Sequence, residues 1–95
     1  MSTVEVQLFK RKNNTGYIKV RLRSEMKAGI ISYKDIDLDS VNSESDMERA
    51  VNIAGGALAE YQIQRYEDKH DPSECAKLAV EAFKEMWAEL KQRGG

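Results

Sequence analysis

Val4, Val6 and Leu8 alternate with Glu5 and Gln7, and Ile18, Val20 and Leu22 alternate with Lys19, Arg21 and Arg23. A strict period of two is the signature of a strand with one apolar and one polar face. Between the two runs lies Lys12-Asn13-Asn14-Thr15-Gly16. Asn and Gly tolerate positive φ, so this segment predicts the turn of a β-hairpin. Lys27-Ala28-Gly29 predicts a second turn, and Gly29 through Leu38 reads as a third strand. Its alternation slips, because Ile31 and Tyr33 are out of phase with Ile36 and Leu38. A bulge near Lys34-Asp35 or a break in the strand would account for that slip.

From residue 45 onward the period changes to that of a helix. Ser45-Asp46-Met47-Glu48 matches a capping box, and a helix is expected to about residue 68. Met47, Ala50, Val51, Ala54, Ala57, Leu58 and Tyr61 fall on one side of its wheel, with Ile63 and Tyr66 off that face. Asp71-Pro72-Ser73-Glu74 then sets an N-cap, a proline in the first turn and a second capping box, for a helix over about 72–92. Its apolar arc runs through Cys75, Ala79, Phe83, Met86 and Trp87. The expectation is one α+β domain over 1–95. It has a three-stranded antiparallel sheet within 3–39 and two C-terminal helices packed on one sheet face. The other face stays open, which antiparallel sheets tolerate.

Composition narrows the class. With 41% hydrophobic and 33% charged residues the 95-residue chain is an ordinary globular mixture, and no apolar run approaches the ~18 residues of a membrane span. The start Met1-Ser2-Thr3-Val4-Glu5 has no basic and hydrophobic leader pattern, and the lone Cys75 fits a reducing compartment. A cytoplasmic protein that makes no use of a membrane is therefore expected. The net charge of −1 conceals an asymmetry. Residues 1–34 hold eight basic residues against two acidic ones, and residues 35–74 hold eleven acidic against three basic.

That asymmetry supplies the candidate sites. Arg11, Tyr17, Lys19, Arg21 and Arg23 share the open sheet face by parity. Cations interleaved with rings suit nucleic acid, since Arg and Lys meet phosphates while rings stack on bases. Asp35, Asp37, Asp39 and Glu44 lead a run of six carboxylates without a cation, a surface that can present phosphate-like spacing to a basic groove on a protein. The run lacks the glycine and glutamate of a calcium-binding loop. His70 and Cys75 are the only residues suited to nucleophilic or transition-metal work, and no third group orients them. Cys75 shares the arc of Ala79 and Phe83, so it is expected in the core. No catalytic set, metal site or cofactor motif emerges. Gly55-Gly56 sits inside the first helix at about 2 kcal/mol relative to two alanines, so a close approach or a kink is expected there.

The hairpin–strand–helix–helix layout resembles that of many small phage and mobile-element proteins that inhibit host machinery, CRISPR inhibitors among them. The resemblance lies in architecture alone. With no reactive cluster but separate basic and acidic surfaces, the expectation is a non-catalytic binding protein acting stoichiometrically on a macromolecular partner, either a protein or a protein–nucleic-acid complex; the resemblance implies an inhibitor of host machinery. The alternative expectation is a nucleic-acid-binding domain using the basic sheet face.

Overall fold

The computed structural model describes residues 2–13 and 15–94. Three strands, β1 (Val4–Lys10), β2 (Gly16–Arg23) and β3 (Ile31–Asp37), are followed by a 3₁₀ turn (Leu38–Ser40) and two helices, α1 (Glu44–Tyr66) and α2 (Pro72–Gly94). The sheet is antiparallel in the order β1-β2-β3, so the strictly alternating β2 lies in the centre. Both turns form where the sequence places them. Arg11 donates its N–H to the Thr15 carbonyl at 2.8 Å, while Asn14 lies outside the described residues. Gly29 takes φ +84°, the left-handed region that a glycine enters without a Cβ penalty.

Register corrects the reading of the third strand. Tyr17↔Asp37 through Arg23↔Ile31 is one unbroken ladder, with neither bulge nor break. The phase slip is real and is accommodated differently. Ile36 turns to the core, Ile31 and Tyr33 turn to the open face, and Ser32 and Lys34 occupy core-side positions. Leu38 leaves the strand and opens the 3₁₀ turn, still packed against the core.

Val6, Ile18, Val20 and Leu22 form the sheet side of the core, with Val4 and Leu8 partly buried beside them. Val51, Ala54, Leu58, Ala79 and Phe83 pack onto that side from the helices. Burying one side chain such as Phe83 or Ile18 contributes about 1.5–3 kcal/mol. The cap of α1 is Ser43 rather than Ser45. The Ser43 hydroxyl accepts the Asp46 N–H at 3.2 Å, two residues upstream of the expected box. The buried stripe of α1 is rotated from the expected wheel: Gly55, Ala59 and Gln62 are buried, and Tyr61 is half exposed. Asp71 caps α2 as expected, its carboxylate accepting from the Ser73 N–H at 3.0 Å.

The rotation of α1 follows from Gly55. A Cβ on Gly55 would lie 2.7 Å from the Cys75 carbonyl oxygen and 2.9 Å from the Ala79 Cβ. At Gly56 the nearest atom would be the Pro72 carbonyl at 3.6 Å, an ordinary contact. Close approach therefore explains the first glycine only. Gly55→Ala should lower stability in urea unfolding by about 1–3 kcal/mol, because a backbone carbonyl cannot swing aside. Gly56→Ala should leave stability unchanged or raise it by up to about 1 kcal/mol through helix propensity.

Candidate interaction surface

The hairpin and β3 bring every odd-numbered strand residue to the uncovered face, because the side-chain period is two and the register is unbroken. Four cations (Arg11, Lys19, Arg21 and Arg23) and three carboxylates (Glu5, Asp35 and Asp37) share it with Phe9, Tyr17, Ile31 and Tyr33. Phe9 stacks on Tyr17 with centroids 5.4 Å apart. The Arg11 guanidinium lies 4.4 Å from the Tyr17 centroid, and the Lys19 ammonium lies 4.1 Å from that of Tyr33. Arg21 stands 5.8 Å from Phe9.

The two charge sets, distant in sequence, thus meet on one surface. Arg11 pairs with Asp37 at 2.6 Å, and Lys19 lies 3.7 Å from Asp35. This corrects the expectation of separate basic and acidic surfaces. Asp35 and Asp37 do share one side of the sheet, as alternation requires. Asp39 sits in the 3₁₀ turn, exposed, near Arg11, Asn13 and Asp37. Glu44 lies in the first turn of α1 and pairs with Lys91 at 3.0 Å, while Glu48 pairs with Lys84 at 3.4 Å. The acidic run is therefore divided between two places, and four of its six carboxylates face a cation. Pairs this exposed add at most about 1 kcal/mol each to stability, but they fix which charges remain for a partner.

A second constellation escaped sequence reasoning. Gln62 is wholly buried on α1 and donates from Nε2 to the Leu22 carbonyl at 2.8 Å and to Ser32 Oγ at 3.0 Å. A carbonyl only accepts, so Oε1 must face His70, whose Nε2 therefore carries the proton in their 2.7 Å bond. His70 Nδ1 meets Ser2 Oγ at 2.8 Å. Asp68 accepts from Ser24 Oγ–H at 2.8 Å and from the Met26 N–H at 2.7 Å. The chain reaches this cluster through Glu67, which leaves α1 at φ 56° and turns the following loop inward. With both ring nitrogens bonded and its side chain inaccessible, His70 serves as a cross-link between the N-terminal segment and α1. Gln62 has the i+4 spacing from Leu58 that could have placed it on the buried stripe. Nothing local identifies the groups it donates to, which lie 30 and 40 residues away.

Cys75 is buried in the core as its phase requires. Burial pushes its thiol above the ordinary range, against a smaller opposing effect from a Ser2 hydrogen bond. Among the described residues no group of His, Cys, Asp or Glu could hold a metal ion, and no helix is long and apolar enough to cross a membrane. No known protein family, curated protein or solved structure matches the chain.

Two measurements test the buried groups. Gln62→Leu strands the His70 N–H and should lower stability by about 1–3 kcal/mol, while Gln64→Leu on the exposed side should change little. Because burial raises the pKa of the folded thiol above that of its unfolded counterpart, the unfolded state loses its proton first as pH rises, so Cys75 makes stability fall through the alkaline range. The alkaline limb of the stability curve should accordingly be shallower in Cys75→Ala than in the wild type, whatever the offset from the lost volume.

Proposed function

We propose that this chain is a non-catalytic binding protein that acts stoichiometrically on a protein surface, alone or within a protein–nucleic-acid assembly. The open sheet face and the adjoining edge of β3 are the contact region. One observation carries this reading: the aromatic field of that face is nearly balanced in charge, with Arg11 held to Asp37 and Lys19 near Asp35. Two of the four cations that a phosphate backbone would need, Arg11 and Lys19, already face carboxylates, and Asp35 and Asp37 would repel it. A protein surface offers both signs, and Tyr, Phe and Arg are the residues that interfaces concentrate. Tyr33 is 59% exposed beside Ile31 at 40%, an apolar centre bordered by charge. On this reading Asp35, Asp37 and Asp39 form a charged rim that speeds and orients association, while Glu44, paired with Lys91 on the helix layer, stands outside it. Covering a working surface of host machinery is the mode of action that the architectural likeness to phage and mobile-element inhibitors supports.

Direct nucleic-acid binding is the second reading. Its support is Arg21 and Arg23, which make no ion pair among the described residues, on the same face as Phe9 and Tyr17. One double variant separates the two. Asp35→Asn with Asp37→Asn frees Lys19 and Arg11 and should move the thermal midpoint little. For a protein partner, capture from nuclease-treated host lysate should fall at least tenfold. For nucleic acid, affinity for a labelled poly-dT strand should rise instead. The slope of log K against log salt should then steepen by about 0.7 per freed cation. The first outcome is the one expected, and the second would overturn the protein-binding reading.

A further inference from the structure

The central strand β2 is bonded on both sides, and the direction of its bonds fixes which backbone groups of β3 remain free. Ser24 donates to the Ile30 carbonyl at 2.9 Å, in line with the register of the ladder. Antiparallel pairs alternate between bonded and non-bonded, so Ser32, Lys34 and Ile36 bond to β2. Ile31, Tyr33, Asp35 and Asp37 point their N–H and C=O groups away from the sheet, and no described strand lies beyond them. Beside this edge runs a groove of about 360 Å³ between β3 and α1. Ile30, Ile31, Leu58, Tyr61 and Tyr66 supply apolar lining, and Lys34 supplies the only charge among the described residues that line it. Lys34 makes no ion pair among the described residues, although the acidic run begins immediately after it at Asp35.

These observations weigh against one occupant and define another. A second copy pairing β3 with β3 about a twofold axis would, in the register that uses all seven residues, set Lys34 against Lys34. Shifting the axis one residue toward the C-terminus sets Asp35 against Asp35, and shifting it the other way sets Tyr33 against Tyr33; either shift leaves five of the seven residues paired. An incoming strand with a carboxylate opposite Lys34 would instead meet complementary charge. Its neighbour two positions along, on the same face, would lie opposite Ser32 against Leu58 and Tyr66. We propose that the β3 edge and this groove form a strand-addition site for an extended segment of the partner protein that bears a carboxylate and a large aliphatic residue two positions apart. The inference rests on the protein-binding reading above and names the element that delivers it. Main-chain bonds to Ile31, Tyr33 and Asp35 supply affinity, and Lys34 with the apolar lining supplies selectivity.

The test uses the full chain and linear peptides selected on it from a random phage-displayed library. The selected peptides should share a carboxylate and an aliphatic residue at i and i+2. Titrated into ¹⁵N-labelled protein, a selected peptide should shift the amides of Ile31, Tyr33 and Asp35 most. Methylating its backbone nitrogens at one parity should lower affinity at least tenfold, and at the other parity far less. Lys34→Glu should also lower it at least tenfold without loss of stability. Shifts centred on β1 and α2, indifference to Lys34→Glu, failure to select any peptide, or a β3-mediated dimer of this chain would each overturn the proposal. If any of these occurs while lysate capture still depends on Asp35 and Asp37, the edge assignment falls and the protein-binding reading stands.

Discussion

The close approach of α1 and α2 at Gly55 is the constraint on which the rest of the structure depends. Three strands spaced about 4.8 Å apart offer only about 10 Å between the outer backbones. Two helices packed at the usual 8–10 Å separation nearly exhaust that width. Small residues on the seam, with Gly55 set against Cys75 and Ala79, bring the pair close enough for one sheet face to hold both. Each helix then serves a different part of the sheet: α2 lies along β1, and α1 covers β2 and β3. A bulkier seam would push α1 outward and close or reshape the groove beside Tyr61 and Tyr66.

Putting both helices on one face leaves the other to solvent, and the chain furnishes that face with rings, cations and carboxylates together. An antiparallel ladder places residues that are far apart in sequence directly opposite one another. Lys19 meets Asp35 across the ladder, and Arg11 reaches Asp37 opposite Tyr17, so basic and acidic residues distant in sequence neutralise each other on one face. The asymmetry along the chain is thus an instruction for pairing β2 with β3 as much as a signal to a partner. What survives pairing is a patterned surface with little net field, better suited to a partner carrying both signs than to a uniform polyanion.

The buried polar cluster has a different role. Gln62 joins the helix layer to the β2 carbonyl at Leu22, and Asp68 holds the β2–β3 connection through Ser24 and Met26. Such bonds are nearly neutral in net energy when satisfied but severe when broken, so they select one docking of α1 on the sheet. The β3 edge and its groove owe their geometry to that docking, because Ser32 is itself one of the groups Gln62 fixes.

By itself the sequence determined the element order, both turns, the Asp71 cap of α2, the burial of Cys75 and the parity of every residue on β1 and β2. These follow from periods of two and 3.6 and from local turn chemistry, which a short window of residues contains. The phase of β3 was legible only as a conflict. Local pattern cannot choose between a bulge and an outward-facing Ile31 and Tyr33, whereas pairing with an unbroken β2 can. The rotation of α1 away from Tyr61 likewise required α2: Gly55-Gly56 signalled a close approach or a kink, and only the Cys75 carbonyl shows that Gly55 makes the contact. The tertiary structure alone decided that Asp35 and Asp37 share a face with Lys19 and Arg11. It alone gathered Gln62, Asp68 and His70 into one cluster with Ser2 and Ser24, because hydrogen bonds and ion pairs depend on distance in space and carry no periodic trace along the chain.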